Sequence, residues 1–283
     1  MKHARAAFAR RQAVTRRCLL QTLGALAAGG WAAPAAANSP WRLLVNEAVT
    51  GDNNAFLLMS RYRPLAEHLA PHAKVKEITV EPVVDIKRFL SLAQEADKPE
   101  LVFGKSVNQL AKLVRDHGYQ PLARRADPYK AAFIVPKDSP IKTLADIGNA
   151  TVVMPDEFAA TTAVARAELR RLNLNQAKVT HVKFQEVVAM EIKMGMGKVG
   201  VVNPTVAKKW AEEGGRVLGE TQPVVNWSLL ASPRLPAATV EKLRDALMAM
   251  NAQSQAVLNQ LGVKSWALAE RKDYLDLLAY TKE

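Results

Sequence analysis

The chain has 283 residues, is 49% hydrophobic and carries a formal charge of +12. Such a length can bury a large core without disulfides. The basic excess is uneven, and no Lys/Arg block is interleaved with aromatics, so a nucleic-acid partner is excluded.

In chain order, residues 1–37 read as a cleaved export signal. Lys2, Arg5, Arg10, Arg11, Arg16 and Arg17 form a basic start without an acid. The apolar run Leu19–Ala33 follows, broken by Gln21 and Thr22, and then Pro34 and Ala35-Ala36-Ala37. That order is a secretory signal with its cleavage site, expected after Ala37. The run is too short and too rich in Gly and Ala to be a membrane span. Thr15-Arg16-Arg17-Cys18-Leu19-Leu20-Gln21 resembles a twin-arginine signal. Cys18, the sole cysteine, lacks the small and aliphatic residues that precede a lipidated one. Loss of six of the 39 basic residues leaves 33 against 27 acids, a mature charge of +6. A periplasmic location is expected.

The mature region alternates β-rich and helical runs. Leu43–Asn46 reads as a strand, and Phe56–Leu69 as a helix with Phe56, Met59, Tyr62, Leu65, Ala66 and Leu69 on its buried face. Ile78–Val84 is a strand, Ile86–Ala93 a helix, Leu101–Phe103 a short buried strand and Val107–Val114 a helix. Ala132–Val135 is a strand, and Thr143–Ile147 a helical turn closed by Gly148. Then come strand Thr151–Met154, helix Thr161–Leu172, strand Val179–Phe184 and helix Val187–Met194. Strand Lys198–Val202 and helix Thr205–Glu213 follow. Val224–Ala231 reads as a long strand, Pro236–Leu261 as one long helix or two, and Asp273–Tyr280 as the last helix. This alternation predicts an α/β fold with mostly parallel sheets flanked by helices. The length predicts two lobes. Without a Gly/Ser-rich linker, the chain should cross between them twice as strands, near Ile134–Lys137 and Val225–Leu229. The expected lobes are residues 38–133 with 228–283, and residues 134–227.

In such folds ligands bind beyond the carboxyl ends of strands, where helix starts offer unpaired N–H groups and partial positive charge. Four loops qualify for an anionic ligand. The first contains Thr50, Gly51 and Asn53. The second is Gly104-Lys105-Ser106, where Ser106 can cap a helix and Lys105 supplies charge. The third is Ala160-Thr161-Thr162, and the fourth Asn203-Pro204-Thr205. Each residue alone is a common helix cap; four equivalent positions in one βα series point to a site.

Catalytic and metal patterns are not expected. His68 and His72 are four apart, with Pro71 predicted to interrupt the helix between them. His117 and His181 read as surface residues. There is no Gly-x-Ser-x-Gly elbow, and Gly195-Met196-Gly197-Lys198 lacks the rest of a phosphate loop. Met190, Met194 and Met196 read as core packing rather than thioether ligands. Asp85, Lys87 and Arg88 read as a solvated face, as do Glu212 and Glu213. No enzyme, cofactor or metal is predicted.

Three stretches carry a family resemblance: Tyr62-Arg63-Pro64-Leu65-Ala66-Glu67-His68-Leu69; Ala132–Val135 continuing through Pro136-Lys137-Asp138-Ser139-Pro140 to Asp146; and Leu235-Pro236, Glu241-Lys242-Leu243 and Asp273-Tyr274 near the end. Together they resemble the phosphate, phosphite and phosphonate-binding components of ABC importers, over nearly the whole mature chain. The resemblance implies a two-lobed type II periplasmic binding protein fold with two hinge crossings and an anion in the interlobe cleft. It also implies a membrane permease as partner and a monomeric receptor. The family's Ser-Thr-Ser-Gly loop corresponds to Ala160-Thr161-Thr162-Ala163. Gln185 stands where the family often has histidine, Asn203 where it has aspartate, and Asn108 or a neighbour where it has an aromatic. Those changes keep hydrogen bonding and remove titratable charge, so a different oxyanion or small organic anion also fits. Other readings are a ligand-sensing partner of a membrane receptor with a non-phosphonate ligand, an enzyme of the same fold, and a scaffold that no longer binds.

Overall fold

The computed structural model describes residues 40–48 and 54–283. The expected export signal, Cys18 and loop residues Thr50, Gly51 and Asn53 lie outside the described residues. Among those described, the chain runs β1 (Trp41–Asn46), α1 (Ala55–Ala73), β2 (Ile78–Pro82), α2 (Ile86–Gln94), β3 (Leu101–Gly104), α3 (Val107–Asp116) and β4 (Gln120–Arg125). It continues with β5 (Ala132–Val135), a 3-10 turn (Leu144–Ile147), β6 (Thr151–Met154), α4 (Ala160–Arg171), β7 (Lys178–His181), α5 (Gln185–Lys193), β8 (Val199–Val202), α6 (Pro204–Glu212) and β9 (Arg216–Glu220). It ends with β10 (Ser228–Ala231), α7 (Ala237–Gln253), α8 (Gln255–Leu261), β11 (Trp266–Leu268) and α9 (Arg271–Thr281).

The strands form two sheets, ordered β11-β4-β10-β3-β1-β2 and β7-β6-β8-β5-β9. The central strands β3, β5, β8 and β10 are buried along their whole length, as expected of strands covered on both faces. One face of the first sheet packs on α1, α7 and α8. The other joins α2, α3 and α9 in a core that runs on into α4 and the second sheet. Helices α5 and α6 cover the remaining face of the second sheet. Parallel pairing is confined to β1 with β2 and β3, and β6 with β7 and β8. β4, β5, β9, β10 and β11 pair antiparallel, so the sheets are mixed rather than mostly parallel.

The chain crosses between sheets at residues 126–131 and 221–227. Ala132 and Phe133 already pair with Val202 and Val201, so the first crossing is earlier than Ile134–Lys137. The two crossings meet at an antiparallel bridge between Tyr129 and Val224, whose backbones exchange two 2.9 Å hydrogen bonds. Helix α9 lies behind them against α3 and α4. Tyr280 donates to Glu168 at 2.8 Å, and Arg170 and Arg115 donate to the carbonyls of Thr281 and Glu283 at 2.6 and 2.7 Å.

Several local expectations change. Helix α1 continues through both Pro64 and Pro71. Proline leaves the carbonyl four residues earlier without its helical donor; for Pro64 that is Ser60, which accepts instead from Gln260 Nε2 at 3.0 Å. His68 and His72 therefore share a helix face, with ring centroids 5.4 Å apart. Leu58, Tyr62, Leu65, Ala66 and Leu69 make its buried stripe, while Phe56 and Met59 are exposed. Asp85 caps α2 by accepting from the Arg88 N–H at 2.7 Å. Met190, Met194 and Met196 are exposed, not core. Pro236 is the N-cap of α7 rather than its first residue.

Candidate functional site

The ends of both sheets open onto one cleft of 540 Å³ at the crossings. The first sheet's side supplies Glu47 and Ala48 after β1, Arg61 from α1 and Lys105 after β3. The second sheet's side supplies the starts of α4, α5 and α6, the end of β4 adds Arg125, and the crossings add Asp127, Tyr129, Asn226 and Trp227.

Glu47 organises the first wall. Its side chain is 2% exposed. Oε2 accepts from Lys105 Nζ and Arg61 Nη1, each at 2.7 Å, and Oε1 accepts from the Tyr62 hydroxyl at 2.7 Å. Burial pushes the Glu47 carboxyl upward, but the Lys105 charge and hydrogen bonds from Lys105, Arg61 and Tyr62 outweigh it, leaving it below the ordinary value. Burial pulls the Lys105 ammonium below its ordinary value, with Glu47 opposing. Lys105 and Arg125 also face the Trp227 ring, at 4.0 and 4.7 Å from its centroid, where the ring's quadrupole favours a cation. Arg125 is paired with Asp127 at 2.6 Å. Ala48 is held in the left-handed region, φ +57°, with its N–H bonded to Asn46 Oδ1 at 2.9 Å.

The second wall presents helix starts. Ala159, the N-cap of α4, makes no side-chain cap, so the first-turn N–H groups of this helix have no capping acceptor of the usual kind. Helix α6 differs: Asn203 Oδ1 accepts from the Val206 N–H at 2.9 Å, and Pro204 has no N–H to offer. A hydrogen-bond chain fixes the hydroxyl beside the α4 start. The Asn203 N–H donates to Gln185 Oε1 at 3.0 Å. That orients Gln185 Nε2 to donate to Thr161 Oγ1 at 2.7 Å, and Thr161 Oγ1 lies 2.5 Å from the Tyr129 hydroxyl. Two hydroxyl protons share that last contact and one suffices for it, so the other is left to donate toward the cleft.

Of the residues singled out in the sequence, Lys105, Ala160, Thr161 and Asn203 line the cleft. Gln185 stands just behind, with both ends of its amide used within the protein. Thr162 turns away: its hydroxyl donates to the carbonyls of Pro155 and Asp156 at 3.1 and 3.0 Å. Ser106 precedes α3 without capping it, and its buried hydroxyl has no partner among the described residues. Asn108 is buried and donates to Glu283 at 3.3 Å. Sequence reasoning missed Glu47, Arg61, Arg125, Tyr129 and Trp227. Tyr129 and Trp227 belong to the crossings, which no helix or strand period marks, and Arg125 is the last residue of β4.

Solved structures of similar fold include a transporter binding protein and ligand-bound proteins. XAC2383 from Xanthomonas citri, bound to chloride, matches with a TM-score of 0.71 at 16% identity over 85% of this chain and 97% of that one. PhnD1 from Prochlorococcus marinus in complex with methylphosphonate gives 0.68 at 15% identity, covering 86% and 98%. A binding protein component of an ABC phosphonate transporter from Pseudomonas aeruginosa gives 0.64 at 15%, covering 86% and 87%. These likenesses show the two-lobed fold. No curated protein matches the sequence significantly. The family model described as "ABC transporter, phosphonate, periplasmic substrate-binding protein" matches residues 48–274. With most of its length in that match and a cleft between its two sheets, the chain belongs to this family of periplasmic solute-binding proteins that serve a membrane permease.

Proposed function

We infer that the cleft captures a phosphonate bearing an organic substituent, holds it without chemical turnover, and acts as a monomer. The open start of α4 carries this reading. Its uncapped N–H groups lie beside Thr161 and face Lys105 and Arg61 across the cleft, an arrangement that stabilises an oxyanion through dipole and hydrogen bonds. Net charge does not supply the attraction: among described lining residues Arg61, Lys105 and Arg125 are balanced by Glu47, Asp127 and Glu186. The cleft is also roomier than a bare oxyanion requires, and Phe184, Val187 and Trp227 offer apolar surface to a substituent. The lobes close over the ligand by bending residues 126–131 and 221–227, which gives the permease a closed form to distinguish.

The test is a thermal-shift and calorimetry panel on residues 38–283 with phosphate, phosphite, sulfate, methylphosphonate and larger alkyl- and aminoalkylphosphonates. A true ligand at about 100 times its Kd stabilises the fold by about 2.7 kcal/mol. An organic phosphonate should give the largest rise in Tm. A larger rise with phosphate or sulfate, or none with any compound, overturns the assignment.

A further inference from the structure

One cluster of side chains has no part in the cleft or the core. Met190, Met194 and Met196 are 50%, 66% and 60% exposed, whereas methionine is ordinarily among the most buried residue types. None of the three lines the cleft. The backbone at the end of α5 sets them on neighbouring turns. Gly195 adopts φ +75°, its N–H donates to the Ile192 carbonyl at 3.2 Å, and the Met196 N–H donates to the Glu191 carbonyl at 3.0 Å. This pair of bonds is a Schellman motif, which turns the residue after the glycine back toward the last full turn of the helix. Here that residue is Met196, and Met190 is in the turn it meets. Met194 lies one turn beyond Met190, its N–H bonded to the Met190 carbonyl at 3.0 Å, on the same helix face. The opposite side of α5 packs Val188 and Ile192 into the core, so the methionines are not needed to anchor it.

We propose that Met190, Met194 and Met196 form a thioether site for a soft monovalent cation, Cu(I) or Ag(I), on the surface of the second lobe. Thioether sulfur is a soft, neutral donor that selects Cu(I) over hard divalent cations. Charged neighbours along the chain are Glu186, Glu191, Lys193 and Lys198, with Lys193 paired to Glu213 at 3.9 Å; none is a soft donor, so the sulfurs are the soft ligands the helix end offers. The location in the periplasm exposes this face to such ions. The site lies at the far end of the helix whose start borders the cleft, and its occupancy does not depend on which solute the cleft takes.

The mature protein, labelled with 13C at the methionine methyls, is titrated with Ag(I) in chloride-free buffer, and anaerobically with Cu(I). One equivalent should bind, moving three methyl resonances and leaving those of Met59, Met154, Met248 and Met250 in place. Each of Met190→Leu, Met194→Leu and Met196→Leu should weaken binding by at least about tenfold, and the triple substitution should abolish it while circular dichroism stays native. His68→Ala with His72→Ala is the control for the neighbouring histidine rings on α1 and should leave metal binding unchanged. Absence of saturable binding, or binding that survives the triple substitution or is lost with the histidines, overturns the proposal.

Discussion

Thr161 and Thr162 are one step apart on α4, and that step sends their hydroxyls to different partners. Thr161 Oγ1 faces the cleft with Tyr129 and Gln185, while Thr162 ties the helix to the Pro155 and Asp156 carbonyls. Thr161→Val should weaken ligand binding by about tenfold, the worth of one hydrogen bond of about 1.4 kcal/mol, with Tm little changed. Thr162→Val should do the reverse, costing about 1–3 kcal/mol of stability for the stranded carbonyls and sparing affinity; calorimetry and denaturant melts separate the two. Glu47 makes a different kind of prediction. Its carboxyl is held below the ordinary value in the folded protein, so the folded state binds a proton less readily than the unfolded chain. The stabilisation is then complete above the ordinary carboxylate range and is lost as pH falls through the depressed value. Glu47→Gln should cost about 3 kcal/mol at neutral pH, because Lys105 is left buried without its counter-charge. Urea melts across acidic pH should show a shallower acid decline for the variant than for the parent.

At the level of elements, the caps decide what a helix start can do. Asp85→Ala should lower the stability read from urea melts by about 1 kcal/mol through loss of the bond to the Arg88 N–H, since this cap at α2 is structural. The contrast with α4, whose N-cap is an alanine, was not visible in composition or period. The buried strands were legible: Leu101–Phe103, Ala132–Val135 and Thr151–Met154 read as apolar runs and form β3, β5 and β6. β4, β9 and β11 were not. Pro121 sits in β4, where the sheet tolerates it because the register shifts between Leu229 and Leu230 opposite. β9 and β11 are edge strands with polar or short sequences, and edges are built to look unlike central strands. The same limit hid the crossings. Residues 224–227 read as part of β10, yet Val224 bridges Tyr129 rather than a sheet strand, and Trp227 only accepts one bond, from the Arg125 N–H at 2.9 Å. At the site, Lys105, Thr161 and Asn203 were legible as residues following strands. Glu47 and Arg61 were not, because an ion pair spanning β1 and α1 depends on how the helix packs.

For the molecule as a whole, the sheets are joined in two ways that act differently. The core shared by α3, α4 and α9 continues from one sheet to the other behind the crossings. The crossings themselves are neighbours bonded through Tyr129 and Val224. Two 2.9 Å bonds tie them, so the pair forms a two-stranded ribbon whose strands bend together rather than singly. Tyr129 belongs to that ribbon and its hydroxyl also touches Thr161 at the start of α4. A guest that took up the spare hydroxyl proton would therefore touch the ribbon joining the two halves as well as the start of α4, and one side chain would report its arrival to both.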